Sequence, residues 1–224
     1  MTRAVNATAG LAQFVAGSRW EEVPAAVRHE SKRALLNILG AAFAGCRHAA
    51  IDHSLAVLVP FSGPPEASIL GRGERADALT AAFVNAASAN VLDFCDTHHP
   101  TIIHPTAPVA PALLALAERK RASGRDFLHA LLLGIEAECR VGNAVSPWHY
   151  AHGWHITSTC GVISYRSTGR QPSSNGESCG SFFDSRRPGA VSLMRPQLGN
   201  TTTSVRKAWI TNGRQCPIYF ARDP

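Results

Sequence analysis

Apolar residues recur at helical spacing through most of the first 164 residues of this 224-residue chain, and period-two alternation is nearly absent; that pattern restricts the fold to a mainly α one. From Pro24 to Ala44 the residues Val27, Ala34, Leu35, Ile38 and Ala42 mark one buried stripe, with Pro24 suited to a first helical turn and Gly45 to the stop. A second run, "DALTAAFVNAASANVL" from Asp77 to Leu92, is dense in Ala and Ser, which lets helices approach closely. "APVAPALLALAERKRA" and, after a Ser123 cap, "GRDFLHALLLGIEAECRVGNAV" predict two more amphipathic helices, the first ending in an Arg119–Lys120–Arg121 cluster that suits the negative end of a helix. The one candidate strand is "ASILG", Ala67 to Gly71. Hydrophobic residues make up 45% and aromatics only 7%, so the expected core is built from Ala, Leu and Val.

The pattern stops near residue 164. Residues 165–224 have no apolar period, are rich in Ser, Gly, Pro, Thr and Arg, and hold none of the ten histidines. Residues 1–164 contain 13 basic and 13 acidic side chains, so the net charge of +6 belongs wholly to residues 165–224. The expected organisation is a helical domain over 1–164 and a basic, disordered tail over 165–224, since such a composition buries too little surface to offset the entropy of ordering it. Lys and Arg are spread rather than clustered, with no aromatic spacing for base stacking, so no nucleic-acid partner is expected. Six cysteines without CxxC spacing, and an N-terminus without a basic-then-apolar pattern, predict a cytoplasmic protein with free thiols. The charge-free run from Thr97 to Ala117 is long enough to span a bilayer but contains three His and four Pro, so no membrane segment is expected.

Chemistry concentrates in "DFCDTHHPTIIHPTAP", Asp93 to Pro108, where two carboxylates, three histidines and a cysteine occur with no Lys or Arg. A second cluster, "HYAHGWHITSTCG" from His149 to Gly161, comes after the helix expected to end near Val145. If the preceding helices are neighbours, both loops face one pocket. Three readings stay open. As metal ligands, His152 and His155 have H-x-x-H spacing and Cys95, Asp93 and Asp96 would complete a shell, but neither cluster matches a zinc signature. As structural groups, individual histidines bond neighbouring carbonyls. As acid–base groups, imidazoles beside a carboxylate hold a proton near neutral pH, bind a substrate carboxylate and move a proton on its adjacent carbon. Cys160 and Ser158 lack the G-x-S-x-G elbow of a nucleophile, and "GRGER" is a turn rather than a phosphate cradle.

"LDFCDTHHPTIIHPTAPVAPALLALAE", "HGWHITSTCGV" and the opening "FVAGSRWEEVPAAVRHESKRALLNILGAAFAG" resemble the MmgE/PrpD family over about residues 8–164. The resemblance implies an all-helical N-terminal domain, a smaller α+β lid, a homodimer, and lyase chemistry on tricarboxylic or related acids without an iron–sulfur cluster. It also implies no other cofactor, no metal and a small carboxylic acid as substrate. Carried over by position, it implies His104, His155, Asp93 and Thr97 as catalytic residues: the two imidazoles as proton carriers or carboxylate binders, Asp93 orienting an imidazole, Thr97 donating a hydrogen bond. His99, Asp96 and Thr157 are the implied substrate-binding residues. Cys95 departs from the acid usual at its position. One residue more between His99 and His104 than in some decarboxylases points to a 2-methylcitrate dehydratase-like hydro-lyase. Past residue 164 the resemblance ends, and the helix and the Lys- and His-bearing segment expected next are replaced. The expectation is therefore a truncated chain, frameshifted from about residue 164 and inactive alone, whose uncovered apolar helix faces aggregate. The alternative is a non-catalytic helical interaction module with a basic tail.

Overall fold

The computed structural model describes residues 7–168 and the pair 218–219. Eight α-helices lie among the described residues: α1 (Ala7–Gly17), α2 (Ala25–Gly45), α3 (Ala49–Leu58), α4 (Ala78–Asn90), α5 (Thr106–Lys120), α6 (Gly124–Val145), the short α7 (Trp148–Ala151) and α8 (Ile156–Thr168). Four two-residue strands accompany them: β1 (Ala67–Ser68), β2 (Arg75–Ala76), β3 (Thr97–His98) and β4 (Ile218–Tyr219). β1 and β2 pair antiparallel with Ala67 opposite Ala76, and β3 and β4 pair antiparallel with Thr97 opposite Tyr219.

The helix starts arise from side chains that satisfy otherwise unpaired first-turn N–H groups. The Asp77 carboxylate accepts from Leu79 N at 2.9 Å and Thr80 N at 3.1 Å to open α4, and Ser123 Oγ accepts from Asp126 N at 3.1 Å to open α6. His48 Nδ1 does the same for α3, accepting from Ala50 N at 3.2 Å. Pro24 occupies the cap position of α2, and Arg121 ends α5 in the left-handed conformation.

α5 is the central helix, packed against α2, α4, α6 and α8. The main core joins Ile38 and Ala42 of α2, Ala89 of α4, Val109 and Leu113 of α5, and Leu131 and Ile135 of α6. A second cluster sets Ile51 and Leu55 of α3 against Ala81 and Val84 of α4 and the β1–β2 hairpin. Small residues set the spacing: Gly45 lies so close to the Ser88 carbonyl that a Cβ there would collide with α4 backbone. Gly45 therefore permits a close approach, in addition to ending α2. Asn85 anchors the hairpin from inside the core, accepting from Leu70 N at 2.8 Å and donating to Ser68 O at 2.9 Å.

The expected mainly α class holds, and the helices read over Pro24–Ala44, Asp77–Leu92 and the runs before and after Ser123 stand where the apolar period places them. The strand expected over Ala67–Gly71 is confined to Ala67–Ser68, because Leu70 N turns to the Asn85 side chain instead of a ladder partner. α8 continues past residue 164, to Thr168. Residues 165–168 of the tail expected to be disordered are therefore helical, and the rest of it lies outside the described residues apart from Ile218–Tyr219. Among the described residues no single helix is long and apolar enough to cross a membrane.

Candidate active site

The segment from Leu92 to Pro105 carries the first histidine cluster between α4 and α5, and its backbone is bent back on itself. His98 N donates to Ile103 O at 2.7 Å, and Thr101 N and Ile102 N both donate to His98 O, at 3.1 and 2.9 Å. Asp93 and Ile102 take positive φ, both 58°, a conformation that costs side-chain-bearing residues energy and marks a tightly specified loop. Ile103 is fully buried with Ile156 and Cys160 of α8, so an apolar plug seats the loop on the second cluster. Gly142 of α6 makes room for it: a Cβ at that position would overlap the Ile103 side chain.

His104 is the residue on which the loop converges. Its Nδ1 stands 3.1 Å from the Asp96 carbonyl oxygen and 3.3 Å from Thr97 Oγ1. A carbonyl only accepts, so Nδ1 carries the proton, and in the neutral ring the lone pair lies on Nε2. Nε2 stands 3.9 Å from Asp93 Oδ1, whose side chain is 83% exposed while that of His104 is 20% exposed. The backbone N–H of His104 donates to Thr157 Oγ1 at 3.1 Å, which ties the first cluster to the first turn of α8.

Asp96 lies beneath the imidazole, 1% exposed. Its carboxyl accepts from Thr106 Oγ1 in the first turn of α5, its N–H donates to Asn37 Oδ1 at 2.9 Å, and its other carboxyl oxygen is buried with no hydrogen-bond partner. Burial pushes the Asp96 carboxyl up to about 6, against the hydrogen bonds from Thr106 and the nearby His104. Burial raises the Cys95 thiol to about 12, and its S–H donates to Ala89 O at 3.1 Å. His98 is buried against Thr101 Oγ1 at 2.7 Å, and burial lowers its pKa.

The second cluster is arranged differently. His155 is exposed at the N-cap of α8, where its Nδ1 accepts from Ser158 N at 3.3 Å and faces Ser158 Oγ at 3.0 Å. Its neutral ring therefore presents Nε2–H outward. His149 Nε2 bonds Thr159 Oγ1 at 2.7 Å, and the His152 ring lies against Trp148 at a tilt of 35°, with centroids 4.0 Å apart. Gly161 lets α8 close on α5, since a Cβ there would stand 2.8 Å from Pro108. Among the described residues no three of His, Cys, Asp and Glu converge as a metal-binding group.

Asp93, Thr97 and His104 are thus brought together, with Thr157 and Asp96 supporting them and His155 two residues from Thr157. Asp96 and Thr157, expected to bind substrate, are 1% and 7% exposed, and their side chains serve Thr106 and the His104 backbone. His99 is exposed on the loop. The sequence reading missed Asn37, Thr106 and the fully buried Glu138 of α6. Glu138 had a signal, a carboxylate at helical spacing from buried Leu131, Ile135 and Gly142. Asn37 had only its position beside Ile38 in an apolar run.

A family model described as the MmgE/PrpD N-terminal domain matches residues 9–167. Among curated relatives, cis-aconitate decarboxylase of Aspergillus terreus (strain NIH 2624 / FGSC A1156) is 26% identical over 162 residues, 70% of this chain and 32% of that protein. The cis-aconitate decarboxylase of Mus musculus is 30% identical over 141 residues, 61% of this chain and 29% of its own. That of Homo sapiens is 35% identical over 120 residues, covering 51% and 25%. The chain spans about a third or less of the length of these curated relatives.

Proposed function

We propose that this chain, which belongs to the MmgE/PrpD family, contributes the proton-transferring part of a lyase site for a tricarboxylic or related carboxylic acid. The observation that carries the reading is the asymmetry of His104: Nδ1–H is committed to the Asp96 carbonyl, and Nε2 faces the Asp93 carboxylate. A neutral imidazole so held takes a proton at Nε2, on the side that faces the Asp93 carboxylate. In a dehydration, Nε2 removes the proton from the carbon beside a carboxylate while hydroxide leaves the neighbouring carbon. In a decarboxylation, the bond to the departing carbon dioxide breaks and the imidazolium returns a proton to the carbon that receives the electron pair. His155, with Nε2–H turned outward, donates to a substrate carboxylate, as do Thr97 and His99 from the loop. Asp96 and Thr157 act on the substrate only through the placement of His104.

Relatives named cis-aconitate decarboxylase make loss of carbon dioxide from cis-aconitate the first reaction to test, with dehydration of 2-methylcitrate or citrate second. The expected result for the 224-residue chain is binding with little or no turnover. Cis-aconitate is expected to shift the imidazole resonances of His104 and His155, and His104→Gln to abolish the effect. Unchanged imidazole resonances under saturating cis-aconitate, citrate and 2-methylcitrate alike would sink the reading.

A further inference from the structure

We propose that Asn37 of α2 is a positioning residue for His104, fixing through the loop backbone which imidazole nitrogen holds the proton. The geometry is a two-pronged clamp between α2 and a loop far along the chain. Asn37 Oδ1 accepts from Asp96 N at 2.9 Å, and Asn37 Nδ2 donates to Phe94 O at 3.2 Å. The orientation of the amide is forced, because an N–H on one side needs an acceptor and a carbonyl on the other needs a donor.

The clamp holds the two peptides that lead into Asp96, and the carbonyl that matters lies on the next one, across the Asp96 Cα. Asp96 is held on its N–H by Asn37 and on its carboxyl by Thr106, which leaves its carbonyl aimed at His104 Nδ1 at 3.1 Å. A deprotonated Nδ1 would set its lone pair against that carbonyl oxygen, so a rigid Asp96 carbonyl selects the Nδ1–H ring and leaves Nε2 to exchange protons. Thr97 Oγ1, at 3.3 Å from Nδ1, either donates or accepts and selects nothing by itself. His104 is further fixed by Thr157 on its own N–H, so what remains for Asn37 to decide is the direction of the Asp96 carbonyl. Asn85 supplies an internal precedent: the same two-pronged amide holds Leu70 N and Ser68 O of the hairpin.

The functional weight of this role rests on the proton-transfer reading of His104, but the tautomer is measured without turnover. Imidazole nitrogen spectra of the nitrogen-15-labelled full chain, with His104 assigned through His104→Gln, report which nitrogen is protonated in the neutral ring. The wild type is expected to show protonated Nδ1 and bare Nε2. In Asn37→Ala the two signals are expected to move toward an averaged or reversed pattern with the other histidines unchanged. Asn37→Asp, which keeps the acceptor for Asp96 N, is expected to restore most of the Nδ1–H form. A wild-type His104 protonated on Nε2 would overturn the proposal, and so would an unchanged tautomer in a folded Asn37→Ala. Loss of the fold in both variants would also overturn it, by making Asn37 a residue of stability rather than of position. Substrate that fails to bind a chain with the expected tautomers would count against the lyase reading and leave the clamp standing.

Discussion

Asp96 holds an acid whose burial raises its carboxyl from the ordinary value of 3.8 to about 6, so the folded chain keeps a proton that the unfolded chain has released. Its contribution to stability is therefore most favourable below the ordinary value and declines as pH climbs through the window, by about 3 kcal/mol in all at about 1.4 kcal/mol per pH unit. Asp77, Glu74 and Glu118 have lowered pKa values and act in the opposite sense, so the wild-type slope alone isolates nothing. The difference between wild type and Asp96→Asn does: urea midpoints on either side of the window are expected to diverge, the variant gaining relative stability as pH rises. Parallel pH dependence in the two proteins would contradict the assignment. Cys95 and Cys160, raised to about 12 and about 11, are a second residue-scale case. Their thiolate fractions near neutral pH are at least about 100-fold below that of a free cysteine. Mass spectrometry after brief alkylation is expected to find both unmodified in the folded chain and modified in denaturant. The sequence already set Cys160 apart from a nucleophile, since it lacks the elbow context of one. The burial of Asp96 was not readable, because it depends on Asn37 and Thr106, of which the first is remote in sequence and the second lies on the next helix.

Among elements, the helices carry their own instructions and the loops do not. Asp77 caps α4 through two backbone N–H groups and also binds Thr80 Oγ1 at 2.6 Å and Ser62 Oγ at 2.7 Å, so it joins the hairpin connection to the helix start. Asp77→Ala is expected to cost about 1–2 kcal/mol, read as a lower melting temperature by circular dichroism, with Asp77→Asn losing less. The Ser123 cap and the apolar stripes were legible because each depends on residues within a turn or two, whereas Asp77 was read only as the start of its run and not as a cap. The loop from Leu92 to Pro105 was legible as chemistry but not as geometry, because its shape is set by Ile103 plugging into α8 and by Gly142 of α6 standing aside. Gly142→Ala tests that dependence: the added methyl must displace the end of the buried Ile103 side chain, at about 1–3 kcal/mol. The expected signature is a loss of stability together with altered His104 resonances, whereas a gain in stability from better helix propensity would show that Ile103 yields freely.

At the scale of the molecule, helices α2, α3 and α4 present large apolar side chains to solvent. Leu36 and Phe43 are 73% and 54% exposed and stand two turns apart along one face of α2. Leu79 and Phe83 of α4 are 75% and 58% exposed, one turn apart, and Phe83 lines a shallow groove of about 370 Å3 with His53, Ser54, Val57 and Leu58. Isolated exposed apolar groups are ordinary, but residues repeated along one helix face form the kind of continuous surface that associates. The acidic and basic side chains of residues 1–164 balance, so those residues carry no net charge to keep copies apart, and the +6 resides beyond them. The expectation is therefore self-association driven by apolar burial. Sedimentation should give masses above the 23.9 kDa of one chain and rising with concentration, and added salt should not reverse it. Leu36→Lys with Phe43→Lys should lower the apparent mass while leaving the cooperative melt intact, because neither side chain contributes to the core. A wild-type chain that sediments as a monomer at every concentration would show that these faces are tolerated as they stand, and the interaction-module reading would lose the surface it relies on.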